Sequence, residues 1–200
     1  MKKTAYIKKN NPHKLRYFLM IVSPILLFLT YPLLTLAGNL PAVDSVLPNF
    51  TITSPTLEKE KDYLNIETNK TFTIDQVDCK LLLIEIIGVY CPQCHIQLPR
   101  SRKLFFRIKK DSVISKQVKM IAIAVGANSN ETAYLKNHLK IPYPVLTDQK
   151  FEIHKLIGEP RTPFMMIVTE DKKIKYVHLG VIKDMNKFFF KIRSLIKNLK

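Results

Sequence analysis

Leu81-Leu-Leu-Ile-Glu-Ile-Ile-Gly-Val-Tyr-Cys-Pro-Gln-Cys-His95 joins an apolar run to a pair of cysteines three residues apart. From Leu81 to Ile87 every residue but Glu85 is apolar, which predicts a central strand covered on both faces. The chain then turns through Gly88, and helix signals run from Cys91 to Lys110. A thiol at a helix N-terminus sits in the positive end of the backbone dipole, which stabilises its thiolate. A second thiol three residues on can attack any mixed disulfide that the first one forms. Strand, Cys91-Pro-Gln-Cys94 and helix together read as a dithiol/disulfide redox centre.

Working outward, Pro48–Ile52 and Thr71–Ile74 predict short strands, separated by the charged stretch Glu58–Asp62, read as a solvated loop. Pro99 falls inside the helix that begins at Cys91, where it should kink or restart it. Val118–Val125 is a second buried strand ending at Gly126, and Asn130 is the expected cap of a helix over Glu131–Leu139. Pro144–Thr147 is a brief extended piece, and Phe151–Ile157 a short helix closed by Gly158. Phe164–Val168 and Ile174–His178 form a strand pair around the turn Glu170–Lys173, and an amphipathic helix spans Asp184–Leu199. The early strand–helix–strand unit implies parallel pairing with a right-handed crossover, and the later hairpin adds antiparallel strands. The fold class is therefore α/β, with a central mixed sheet flanked by helices.

The 200 residues are 46% hydrophobic and 24% charged, a globular composition. The formal charge of +16 is unevenly placed. Six bases and no acid lie in the first forty residues, and Lys183, Lys187, Lys191, Arg193, Lys197 and Lys200 face only Asp184 at the other end. No nucleic-acid motif accompanies this excess, so no nucleic-acid partner is expected. The excess reads as a Lys-rich solvated surface, with proximity to an anionic membrane as the alternative. Tyr17–Ala37 is a run of 21 residues without a charge. It is long enough to span a hydrocarbon core of ~30 Å. Pro24, Pro32 and the small-residue site at Thr35-Leu-Ala37 suit a cleaved signal instead. Residues 1–38 are thus a membrane anchor or a signal peptide, 39–47 a linker and 48–200 the domain. Either reading keeps the lysines in the cytoplasm and exports the rest, to where disulfides persist.

Four features together resemble the exported thioredoxin-fold thiol–disulfide oxidoreductases of the TlpA/ResA type, which share features with the peroxiredoxin-like redoxins. They are Pro48-x-Phe50-Thr-Ile52, Tyr90-Cys-Pro-Gln-Cys94, Pro99 in the following helix, and Arg161-Thr-Pro163 directly before a strand. The resemblance covers Pro48 to Lys200. It implies a thioredoxin-like fold, attack by Cys91, resolution by Cys94 and a reversible disulfide between them. It implies that Pro163 is the cis-proline beside the dithiol and that Thr162 offers backbone groups to an extended substrate. Glu85, six residues before Cys91, matches thioredoxin's buried acid and would accept a proton from Cys94. Tyr90 stands where Trp is usual and would line the substrate surface. Pro92 removes one N–H from the neighbourhood of the thiolate, which favours a more reducing couple. Protein thiols and disulfides are the implied substrates, reduction the implied direction and a membrane electron donor the implied source of electrons; no cofactor or metal is implied.

Two other classes compete. Cys91-Pro-Gln-Cys94-His95 is also a C-x-x-C-H string, the attachment pattern of c-type haem, which would make the protein a haem or metal carrier. A thiol peroxidase is the other, although its Thr-x-x-Cys pattern is absent because Gly88 stands three before Cys91. Cys79 matches no motif and is expected to be a partly buried free thiol.

Overall fold

The computed structural model describes residues 40–67 and 70–199. The expected anchor or signal over residues 1–38 lies outside them. Among the described residues no helix is long and apolar enough to cross a membrane.

The apolar run before the two cysteines forms β3, Leu81–Ile87, and all seven of its residues are buried. It pairs in parallel with β4, Val118–Val125, and antiparallel with β6, Phe164–Thr169. β5, Val145–Asp148, extends the sheet in parallel beyond β4, and β7, Ile174–Leu179, extends it antiparallel beyond β6. The order is β5-β4-β3-β6-β7. A separate two-stranded hairpin joins β1, Thr51–Thr53, to β2, Thr71–Thr73. A 3-10 turn over Ile74–Gln76 follows β2.

Period-two alternation along β3 sorts its side chains into two cores. Leu81, Leu83 and Ile87 face a cluster built with α2 (Pro92–Lys110), α3 (Ser129–Leu139) and α5 (Met185–Asn198). Leu82, Ile84 and Ile86 face the hairpin residues Ile52 and Phe72, together with Leu64 of α1 (Glu58–Leu64) and Ile153 of α4 (Glu152–Leu156). Glu85 is on the first face, a carboxylate placed where neighbouring positions hold Leu and Ile. Thioredoxin-like architecture, a mixed sheet with helices on both sides, is thus the observed fold.

Several boundaries differ from expectation for identifiable reasons. Glu58–Asp62 is not a solvated loop but most of α1. Glu60 and Lys61 are buried, and ion pairs join Lys61 to Glu58 (2.7 Å) and Lys136 to Glu60. Asn65 closes this helix in the left-handed conformation that Asn tolerates. The cap of α3 is Asn128 rather than Asn130. Its Oδ1 accepts from the N–H groups of Asn130 (2.9 Å) and Glu131 (3.0 Å), and Glu131 Oε2 accepts from the N–H of Asn128 (2.9 Å). This reciprocal box satisfies the donors that a helix N-terminus leaves open. α2 continues through Pro99 without restarting. Within the stretch expected to link the domain, Asp44 and Ser45 exchange backbone bonds with Ile174, and Leu47 is buried. The domain's packing therefore reaches back to about residue 44.

Candidate dithiol site

Cys91 is the N-cap of α2, so its side chain lies where the first helical N–H groups point. The Cys94 N–H donates to Cys91 Sγ at 3.3 Å, and the Cys91 thiol donates to the Thr162 carbonyl at 3.5 Å. Pro92 occupies the first helical position, which its fixed φ suits and where its missing N–H leaves no helical bond unmade. Cys94, one turn in, is wholly buried, whereas Cys91 is partly exposed. Both are free thiols.

This placement separates the two acidities. Partial burial opposes ionisation of Cys91, but hydrogen bonds from Cys94, Thr162 and the N–H groups of Cys94 and Gln93 outweigh it and draw its pKa down. Burial pushes Cys94 up to about 12, and its contact with Cys91 pushes in the same direction. The two thiols thus differ in acidity in opposite directions as well as in exposure. Iodoacetamide alkylation of Cys91 is expected to follow a titration midpoint below the ~8.5 of an ordinary thiol. A midpoint at or above that value, measured on the parent protein with the alkylated residue identified as Cys91 by peptide mapping, would contradict the assignment.

The Thr162–Pro163 peptide bond is cis and stands directly before β6, and the Thr162 carbonyl lies 3.5 Å from Cys91 Sγ. Gly88 lies beside both: a Cβ there would be tight against Cys91 Cβ at 3.3 Å and in ordinary contact with the Thr162 hydroxyl at 3.5 Å. Tyr90 is 82% exposed beside Cys91 and donates through its hydroxyl to Glu131 Oε1 at 2.9 Å, tying the reactive loop to the N-terminus of α3.

Glu85 is 1% exposed. Tyr143 donates to its Oε2 at 2.6 Å, and Ser101 donates to its Oε1. Gln97 donates to Ser101 (2.9 Å) and accepts from the Ile182 N–H (2.9 Å). Burial raises the Glu85 pKa, and the bonds from Ser101, Tyr143 and Gln97 only partly offset it. Glu85 thus anchors a polar chain through the core, and its partner on α2, Ser101, lies further along that helix than Cys94. Ser101 is seven residues beyond that cysteine, ~10 Å of helical rise. Gln97, Ser101, Tyr143 and Glu131 were not singled out in the sequence. A signal existed for two of them: Gln97 and Ser101 fall on the face of α2 that carries Cys94, Leu98, Phe105 and Ile108. Polar residues there need buried partners.

His95 Nε2 donates to the Val89 carbonyl at 2.7 Å, and Cys94 has no exposed surface. A haem-attachment pentad needs both thiols and the imidazole accessible to the group, and these residues do not fit it. Among the described residues no group of three or more His, Cys, Asp and Glu side chains could hold a metal ion. Cys79 is a buried free thiol whose pKa burial pushes up to about 12, the signature of an inert sulfur.

The chain is similar in sequence and fold to several known proteins. The thiol–disulfide oxidoreductase ResA of Halalkalibacterium halodurans is 23% identical over 113 residues, 56% of this chain and 60% of that protein, so the match leaves a substantial part of each outside it. The thioredoxin domain of thiol–disulfide oxidoreductase BVU-2223 from Bacteroides vulgatus superposes with a TM-score of 0.60 at 12% identity, over 78% of this chain and 99% of that one. A secreted disulfide oxidoreductase of Mycobacterium tuberculosis, homologous to E. coli DsbE, gives 0.55 at 14% identity, over 72% and 95%. At these identities the structures establish a shared fold. The sequence model of the redoxin family matches residues 42–188, which include the whole dithiol site, and the chain belongs to the redoxin family.

Proposed function

We propose that the protein is an exported thiol–disulfide oxidoreductase that reduces disulfides in protein partners. The observation that carries this reading is the asymmetry of the pair: a partly exposed Cys91 with lowered pKa at the helix N-cap, and a fully buried Cys94 one turn behind it. The Cys91 thiolate attacks a substrate disulfide, forming a mixed disulfide and releasing one substrate thiolate, which takes up a proton. Cys94 then gives up its proton and attacks Cys91 Sγ. The Cys91–Cys94 disulfide forms, and the second substrate thiol leaves. Two electrons pass to the substrate, and a thiol donor at the membrane must restore the dithiol.

Thr162 lends its backbone to the incoming strand, and Tyr90, Pro92 and Pro163 shape the surface around the sulfur. Glu85 is the buried carboxyl that would accept the Cys94 proton, through water or through the polar chain rather than by direct contact, and burial raises its pKa. The export reading is supported by the uncharged run Tyr17–Ala37 with the bases before it, and by the secreted relative of similar fold.

Expression of the full chain with Cys94→Ala should accumulate mixed disulfides at Cys91 that are resolved by reductant on a non-reducing gel. An empty trap, with the variant folded and Cys91 reactive to iodoacetamide, would rule out disulfide exchange as the principal activity.

A further inference from the structure

The positive charge of the folded domain is gathered on one seam. Residues 40–99 carry eight acids against four bases, whereas residues 100–116 carry seven bases against Asp111 and residues 183–200 six against Asp184. These two segments are the C-terminal half of α2 with its following turn, and α5, and they pack side by side. The Arg107 guanidinium lies 3.8 Å from the Phe189 ring centroid and 5.5 Å from that of Phe190, and it donates to Asn186 Oδ1 at 2.6 Å. Arg193 pairs with Asp111 at 3.4 Å. One open groove along the seam is lined by Arg100, Lys103 and Lys183, and a second by Val113, Phe190, Arg193 and Lys197.

Apolar side chains stand out among these cations. Phe190 is 58% exposed, and Phe106, Val113 and Leu199 are also exposed. Cations alone would suit any polyanion. Cations interleaved with protruding aromatic and aliphatic groups match the boundary between phospholipid headgroups and acyl chains, where a basic helix face places apolar residues below the phosphates.

We propose that the α2–α5 seam docks the domain on an anionic bilayer surface, with Phe190 entering the headgroup layer and Lys103, Lys191 and Lys197 lying against phosphates. The dithiol is at the opposite end of α2. Nineteen helical residues rise ~28 Å, so docking at the C-terminal half leaves Cys91 clear of the lipid.

The chain contains no Trp, so Phe190→Trp provides a single reporter in the full-length protein. Reconstituted into vesicles of phosphatidylcholine with about a third phosphatidylglycerol, its emission should shift to the blue. The shift should be absent in phosphatidylcholine alone and reversed by about 0.5 M salt. Leu156→Trp, on the other side of the sheet, should not respond. Adding Lys103→Glu, Lys191→Glu and Lys197→Glu to the reporter should abolish the shift while the rate of disulfide reduction on a soluble substrate stays within about twofold, these side chains being exposed and remote from the dithiol. Equal shifts in both lipids, equal responses of the two reporters, or a response to an oligonucleotide or an acidic peptide with none to vesicles would each overturn the proposal.

Discussion

Cys91→Ser is expected to lower the rate of protein-disulfide reduction by about a thousandfold or more, to the level of the uncatalysed exchange. The substitution is nearly isosteric and keeps an acceptor at the α2 N-cap, so the fold should survive with its thermal midpoint little changed. What it removes is the one sulfur that is both partly exposed and drawn toward the thiolate by Cys94, Thr162 and Gln93. Cys94 cannot substitute for it. That thiol has no exposed surface and holds its proton to about pH 12. The comparison with Cys94→Ala is therefore diagnostic: both variants lose turnover, but only Cys94→Ala retains a reactive thiol. Turnover by Cys91→Ser within tenfold of the parent would place the nucleophile elsewhere.

Glu85→Ala is expected to destabilise the protein by about 3 kcal/mol in urea unfolding, because it opens a cavity and strands two buried hydroxyls. Those hydroxyls are Ser101 and Tyr143, and the loss extends through Gln97 to the Ile182 N–H. Glu85→Gln separates charge from packing. The folded-state pKa of Glu85 is raised, so its favourable contribution is complete below the unfolded value near 4.5 and is lost as pH rises through the folded value. Stability of the parent should fall with rising pH across that window, and Glu85→Gln should flatten the fall. It should also slow resolution of the mixed disulfide without changing the rate at which Cys91 is alkylated. Unchanged resolution would remove Glu85 from the proton path and leave it a structural role alone.

The parts of this site that rest on local sequence were legible in advance. The apolar run before Cys91, the helix after it and the Thr-Pro pair before a strand each follow from composition at one place, and the structure brings them together. Glu85 was visible because it interrupts an apolar strand. What surrounds it was not visible, because Tyr143 comes from a turn between two prolines with no periodicity to place it. α1 was missed for a related reason. Its density of charge resembles a loop, and only the long-range pair with Lys136 makes burial of Glu60 acceptable. Fold-level contacts between distant segments decided both cases, and a single sequence does not display them.

Gly88 limits how this chain can change over time. The space its side chain would occupy is bounded by Cys91 on its own loop and by Thr162 on a loop 71 residues further along than that cysteine. A Cβ at position 88 would be in ordinary contact with the Thr162 hydroxyl at 3.5 Å but tight against Cys91 Cβ at 3.3 Å, where the cysteine must give by a few tenths of an ångström. Any side chain gained at this position therefore bears first on Cys91, so drift at a residue without chemistry of its own is coupled to the placement of the sulfur.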